Sequence, residues 1–95
     1  MKRKIIKIRP SEIDKLNFKK CDVLQSEKDV YERMRKLSIA VMRKKREGGH
    51  VQLIIESAKR GLFQVEGLIL MAGRDFVMLA GGTTLPIKSI KKIKL

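Results

Sequence analysis

The clearest pattern of strands and turns lies between His50 and Leu95, where the chain reads HVQLIIESAKRGLFQVEGLILMAGRDFVMLAGGTTLPIKSIKKIKL. Short runs rich in β-branched and aromatic residues are separated by the turn sequences AKRG, AGRD and GGTT. The first run places Val51, Leu53 and Ile55 at alternate positions, as in a strand with one buried face. Five such runs predict five short strands in a small antiparallel β-barrel.

The second predicted strand contains a glycine, Gly67, which we interpret as a bend or bulge that lets a small barrel close. One face of this strand is predicted to be buried, and it consists of Phe63, Val65, Ile69 and Met71. Phe63 and Phe76 both fall in predicted strands, so we expect them in the core. Base stacking on aromatic side chains is therefore poorly supported, because the chain has only three Phe, one Tyr and no Trp.

The residues before this stretch predict one α-helix, from about 27 to 46. Ser26 is the expected N-cap, and acidic residues follow it where they suit the helix dipole. One helical face is apolar, and its residues recur every three or four positions: Val30, Met34, Leu37 and Val41. We expect this face to pack on the barrel in preference to forming a dimer seam. The pair Gly48–Gly49 would end the helix.

These features divide the chain into a basic N-terminal extension with the helix, residues 1–49, and a small β-barrel, residues 50–95. Within the extension, KIIKIR at Lys4–Arg9 predicts a short strand or an extended arm, which Pro10 would end. The sequence SEIDKLNF predicts a short turn. The predicted fold class is thus mainly β with an N-terminal α-helix.

The charge balance is strongly basic, with 23 Lys and Arg against 10 Asp and Glu and a net charge of +13. Such a charge attracts polyanions and says little about fold. Nucleic acid is the commonest such partner. An acidic protein and, with less support, an anionic membrane surface are the alternatives, since the helix lacks the bulky aromatic residues of a membrane-surface helix.

The remaining composition predicts a cytoplasmic protein without a cofactor, a metal or a membrane span. Cys21 is the only cysteine, so neither an intrachain disulfide nor a multi-cysteine metal site can form. The basic N-terminus is not followed by the apolar run of a signal peptide. His50 is the only histidine and has no nearby Ser, Cys or Asp pattern that would make it catalytic. The chain is therefore predicted not to be an enzyme.

The candidate nucleic-acid-binding residues are the clustered basic side chains, because Lys and Arg contact phosphates without choosing a sequence. They lie at the helix end, in the first hairpin turn and near the C-terminus: Arg43, Lys44, Lys45, Arg46, Lys59, Arg60, Lys88, Lys91 and Lys92. A solvated helix end with favourable dipole charges is an equally good interpretation of the first four.

The C-terminal half also carries a family resemblance. Gly67 in the bent strand, Asp75 leading the next strand and Met78 three residues later follow the order of a known motif, and LPIKSIKKI is similar to its second motif. Together they resemble the Sm-like (LSm/Hfq-type) barrel, and in particular small Gram-positive Sm-like domains. A generic SH3-like barrel is the alternative. The resemblance implies RNA binding and oligomers in which the fourth strand of one subunit pairs with the fifth strand of the next.

The residues that read RNA in this family are not matched. Leu79 stands where uridine-binding Sm proteins have asparagine, and Pro86–Ser89 replaces the basic pair of the last hairpin. We therefore expect a non-enzymatic nucleic-acid-binding accessory protein with weak sequence preference, RNA slightly favoured over DNA. The alternative is a protein-interaction or assembly module that binds acidic partners or itself. Lysines flanking the last strand leave monomer, dimer and ring open.

Overall fold

The computed structural model describes residues 4–43 and 50–95. Within these two ranges the chain forms one α-helix and six strands, with two short 3-10 helices at Pro10–Lys15 and Ile87–Ser89. The bounds are β1 Ile5–Ile8, α1 Glu27–Arg43, β2 His50–Glu56, β3 Leu62–Ala72, β4 Phe76–Leu79, β5 Thr84–Pro86 and β6 Ile90–Lys94. The protein is therefore mainly β with one helix, as predicted. Part of the predicted helix end, Lys44–Arg46, lies outside the described residues.

The strands form one sheet in the order β5-β4-β3-β2-β6, with every neighbouring pair antiparallel. The N-terminal strand β1 adds to the first half of β3 in parallel, with Ile5 opposite Leu62. The five predicted strands are all present, and the KIIKIR segment supplies a sixth. The predicted closure into a barrel is not seen, because β5 and β6 are at opposite ends of this order and do not pair in the described part of the chain.

The register irregularity of β3 does not lie at the glycine. Gly67 is buried in regular register opposite Val51, and a Cβ there would lie 3.8 Å from Pro10 Cγ, at ordinary contact distance. The register shifts instead between Ile69 and Met71, where β3 leaves β2 and pairs with β4. Because side chains alternate across a strand, this shift turns Met71 outward, and the prediction that Met71 is buried was wrong.

A single hydrophobic core joins the helix, the first 3-10 helix and the sheet. Ile13, Leu37 and Ala40 are all at most 1% exposed and pack with the inward residues of the strands. The buried line of the helix is Arg33, Leu37 and Ala40. The predicted apolar face is confirmed at Leu37, which is buried, and at Val41, which packs against the core. It was wrong at Met34, which is exposed, and the position before it carries the buried arginine. Residues 1–25, whose packing the sequence did not predict, contribute Ile13 to this core.

The segment 16–25 connects the first 3-10 helix to α1 and is hydrogen-bonded to the C-terminal half at two points. The backbone N–H of Ala58 donates to the carbonyl of Asn17 at 2.7 Å. Further along, the N–H of Val23 donates to the carbonyl of Lys88 at 3.0 Å. These contacts attach the segment first to the β2–β3 turn and then to the residues before β6, which positions the start of α1 beside β6.

The N-cap of α1 is the predicted one. The hydroxyl of Ser26 accepts a hydrogen bond from the Asp29 N–H at 3.1 Å, and its carbonyl accepts one from the Val30 N–H at 3.1 Å. Replacing Ser26 by alanine leaves the Asp29 N–H without this acceptor and should lower the free energy of unfolding by about 1 kcal/mol. Urea denaturation followed by circular dichroism would measure it. Ser26→Asp keeps an acceptor and should retain wild-type stability; equal loss in both variants would contradict the capping role.

Candidate nucleic-acid interface

A groove runs between α1 and β6, with a volume of about 500 Å³. We call it the α1–β6 groove. One wall is the helix surface and the other is the last strand. The lining residues are Asp29, Glu32, Arg33 and Lys36 from α1, Lys91, Lys92, Ile93 and Lys94 from β6, and Ile5, Leu24 and Ile54 beside them. Five of these are basic and two are acidic, so the groove is positive overall.

The lysines of β6 face the groove because of an irregularity in the strand. Ile54 is opposite Lys92 and Ile55 is opposite Ile90, so Lys91 is an extra residue without a partner in register. Such a bulge changes the direction of the side chains around it. Ile90 and Ile93 are both buried, whereas Lys92 and Lys94 are exposed.

Three groove lysines make no ion pair with any described residue. Among the described residues, no carboxylate lies within salt-bridge distance of Lys36, Lys92 or Lys94. On the helix wall, Glu32 is paired with Arg35 at 3.0 Å between Oε2 and Nη2. The positive charge available to an anionic chain in the groove therefore lies mainly on β6.

Lys91 is engaged with a buried carboxylate. Glu56 is 5% exposed, and its oxygens accept from Lys19 Nζ at 3.2 Å and from Lys91 Nζ at 3.4 Å. A carboxylate that is this buried needs such partners, because an unpaired buried charge is costly. Lys91 thus lines the groove but shares its charge with Glu56.

The floor of the groove is fixed by an ion pair between the connecting segment and the helix. Arg33 Nη1 and Nη2 donate to the two oxygens of Asp22 at 2.8 and 2.5 Å, and Nη1 also donates to the carbonyl of Ile90 at 3.0 Å. The Arg33 side chain is only 4% exposed. This bidentate arrangement holds α1 against β6 at the point where the groove begins.

The titration of Asp22 reflects this contact. Partial burial by itself raises the pKa of the Asp22 carboxyl. The hydrogen bonds from Arg33 and from the N–H of Leu24, together with the charges of Arg33 and Lys88, outweigh that effect. The net result is a pKa below the ordinary aspartate value, so the Asp22 carboxylate stays ionised to a lower pH than an ordinary aspartate does.

The described members of the predicted basic set lie on four different elements of the fold. Lys91 and Lys92 lie in the groove. Arg43 is exposed at the end of α1, and its neighbours Lys44, Lys45 and Arg46 are outside the described residues. The exposed pair Lys59–Arg60 is in the β2–β3 turn. Lys88, in the second 3-10 helix, is exposed, and its charge acts on Asp22.

Lys94 belongs to the same basic C-terminal run of the sequence as Lys91 and Lys92, and it lines the groove with them. Lys36 is the groove lysine that sequence reasoning missed. Lys36 lies in the middle of the helix among other polar residues, and no sequence signal distinguishes it. Phe76 was wrongly expected in the core: it is 54% exposed, because β4 turns Val77 and Leu79 inward instead.

The described residues give little support for other kinds of functional site. Within 4–43 and 50–95, no three His, Cys, Asp or Glu side chains come together as metal ligands would. His50 and Cys21 are both exposed. No helix in these two ranges is long and apolar enough to cross a bilayer. The prediction that the protein is not an enzyme stays a prediction.

The fold and the groove define a small, basic, mainly β protein with one helix packed beside its last strand. Comparison with known proteins adds nothing to that description, since no family model, no curated protein and no solved structure matches the chain.

Proposed function

We propose that this protein is a non-enzymatic nucleic-acid-binding accessory protein, which binds mainly phosphates and prefers RNA slightly over DNA. The observation that carries the proposal is the α1–β6 groove, where Lys36, Lys92 and Lys94 present charges that no described carboxylate compensates. Lysine is a flexible point charge suited to phosphate oxygens, and such contacts give affinity without sequence choice. The net charge of +13 supports the same partner class.

Weak sequence preference is part of the proposal. The position where uridine-binding Sm proteins carry asparagine is Leu79, whose side chain is fully buried in the core. It can neither reach a base nor donate a hydrogen bond. Within the groove, the described charged residues are chiefly lysines, which do not recognise base edges with a fixed geometry.

We further propose that the fold is an open, Sm-like variant of a small barrel, which is the basis for favouring RNA. The support is that β5 and β6, the fourth and fifth strands of the C-terminal half, are the two ends of the strand order. These are the two edges that pair between neighbouring subunits of an Sm-like ring. A sheet with unpaired edges is a natural site for such association.

The test is equilibrium binding of fluorescent single-stranded RNA, single-stranded DNA and duplex DNA over a range of salt concentrations. We expect submicromolar binding at low salt that weakens steeply between about 50 and 200 mM salt, with RNA bound most tightly. Light scattering on the same samples gives the mass of the complex. Weak binding that is alike for all three ligands and absent near physiological salt would reject the proposal.

A second function is favoured by one observation. Met71 and Met78 lie directly opposite each other on β3 and β4, and both are exposed together with Phe76 on β4. An exposed apolar surface of this kind suits association with another protein surface or with a second copy. A complex that resists both nuclease and high salt would favour this assembly module over nucleic-acid binding.

The helix end can be separated from the groove within the same assay. Reversing the charges of Arg43, Lys44, Lys45 and Arg46 removes the predicted cluster and leaves the groove lysines in place. Unchanged RNA affinity would exclude the helix end from the binding surface.

A further inference from the structure

A smaller pocket lies at the β2–β3 turn, beside the start of the connecting segment. Its volume is about 280 Å³. The residues that line it come from the end of the first 3-10 helix, the start of the connecting segment and the turn: Lys15, Leu16, Asn17, Ser57, Lys59, Gly61 and Phe63. It shares no lining residue with the α1–β6 groove.

The walls of this pocket are held in place by hydrogen bonds within the backbone. Ala58 N–H donates to the Asn17 carbonyl at 2.7 Å, which joins the two sides. Ser57 and Gly61 close the turn, with Ser57 N–H donating to the Gly61 carbonyl at 2.9 Å and Gly61 N–H donating to the Ser57 hydroxyl at 3.2 Å. A pocket built on such contacts loses little entropy when a ligand binds.

The ring of Phe63 packs closely on the glycine of the turn. A Cβ on Gly61 would lie 3.2 Å from Phe63 Cε2 and 3.3 Å from the Ser57 hydroxyl. The ring is half-buried, packed on the core and lining the pocket as well. Because residue 61 has no side chain, the Phe63 ring can lie against the turn and form one wall of the pocket.

The chemistry of the lining is that of a site for an anion joined to a flat ring. Lys15 and Lys59 supply two ammonium groups, and no carboxylate is among the described lining residues. Asn17 supplies a side-chain amide, which offers both donors and an acceptor. Phe63 supplies an apolar aromatic surface, on which a nucleobase of any kind can stack. The volume is near the lower end of small-ligand sites, about 300–1,000 Å³, so it suits one unit and not several.

We propose that this pocket binds one nucleotide unit of a single-stranded nucleic acid, with the base against Phe63 and the phosphate between Lys15 and Lys59. The proposal rests on the proposed function and deepens it, because it assigns base contact to one place on a protein that otherwise holds phosphates. Asn17 is the residue that would distinguish one base from another, through hydrogen bonds to the base edge.

The first experiment uses NMR on the intact chain with the Phe ring protons observed during titration. Adenosine 5′-monophosphate should shift the Phe63 ring signals upfield through the ring current of the stacked base. Ribose 5-phosphate, which has the phosphate and no base, should shift the Lys15 and Lys59 side-chain signals alone. Absence of any Phe63 shift at saturating nucleotide would overturn the proposal.

The second experiment uses variants and separates this proposal from the function on which it rests. Phe63→Leu should weaken binding of a uridine decamer by about fivefold or more and leave binding of an abasic phosphodiester of the same length unchanged. Lys15→Gln with Lys59→Gln, which leaves the core intact, should weaken both ligands, and Lys28→Gln on the exposed side of α1 is the charge control.

The outcomes are distinct. If wild-type protein binds the decamer and its abasic counterpart equally, the nucleotide site is rejected while phosphate binding stands. If neither ligand binds, the proposed function itself fails. If Phe63→Leu weakens binding of the decamer and of its abasic counterpart equally and also lowers the melting temperature, Phe63 has a purely structural role and the nucleotide site is rejected.

Discussion

Replacing Arg33 by methionine should lower the free energy of unfolding by about 3 kcal/mol. The guanidinium is almost completely buried and donates to both oxygens of Asp22 and to the Ile90 carbonyl. Methionine fills much of the same volume, so the loss comes mainly from the missing guanidinium: the Ile90 carbonyl loses this donor, and the Asp22 carboxylate keeps only the hydrogen bond from the Leu24 N–H. Urea denaturation at neutral pH, followed by circular dichroism, gives the value.

Two controls identify the ion pair as the cause. Arg35→Met removes an exposed pair with Glu32 on the same helix and should cost less than about 1 kcal/mol. Combining Arg33→Met with Asp22→Asn should recover part of the loss, since the unpaired carboxylate is removed as well. Equal effects of the Arg33 and Arg35 variants would contradict the structural role given to Asp22.

The same contact predicts a pH dependence. The pKa of Asp22 is lower in the folded protein than in the unfolded chain, so ionised Asp22 favours the folded state above the ordinary aspartate pKa of about 3.9. That contribution is lost as the pH falls below this value and through the lowered pKa. Arg33→Met should flatten this part of the stability profile; an unchanged acid slope would argue against the pair.

The largest expected effect on binding comes from the triple variant Lys36→Gln, Lys92→Gln and Lys94→Gln. If these lysines each neutralise one phosphate of a single strand, the slope of log K against log salt should fall by about 2. Affinity for single-stranded RNA at about 50 mM salt should fall at least tenfold. Fluorescence anisotropy over a salt series measures both quantities on one set of samples.

A matched control removes the same charge from other surfaces. Lys7, Lys20 and Lys28 are exposed on β1, on the connecting segment and on α1, and none lines the groove. Changing these three to glutamine alters the net charge equally. A similar loss of affinity in both triple variants would mean that the chain attracts RNA through its overall charge, and the groove would lose its assigned role.

The sequence predicted well the features that depend on neighbouring residues. Alternation in HVQLIIE, the turn glycines and the cap at Ser26 are local, and the corresponding elements are all present. The mainly β class with one helix follows from the same local patterns.

Features set by distant residues could not be predicted. The outward position of Met71 depends on the register shift where β3 changes partners. The burial of Arg33 depends on its contacts with Asp22 and Ile90, which no periodicity in α1 indicates. The groove depends on the same contacts, because its lysines lie near one another only when α1 lies beside β6. The pocket wall formed by Phe63 likewise depends on the turn at Gly61 lying beside the segment at Asn17, which is distant in sequence.

The parallel pairing of β1 with β3 has a consequence for the order of assembly. The β2–β3 hairpin closes a short loop, whereas β1 reaches its partner only across most of the chain, so its loop-closure entropy is greater. During synthesis β1 leaves the ribosome first, yet the strand it pairs with emerges much later. The isoleucines of β1 must therefore stay unpaired until β3 has been synthesised. The basic residues that surround them keep this unpaired segment solvated.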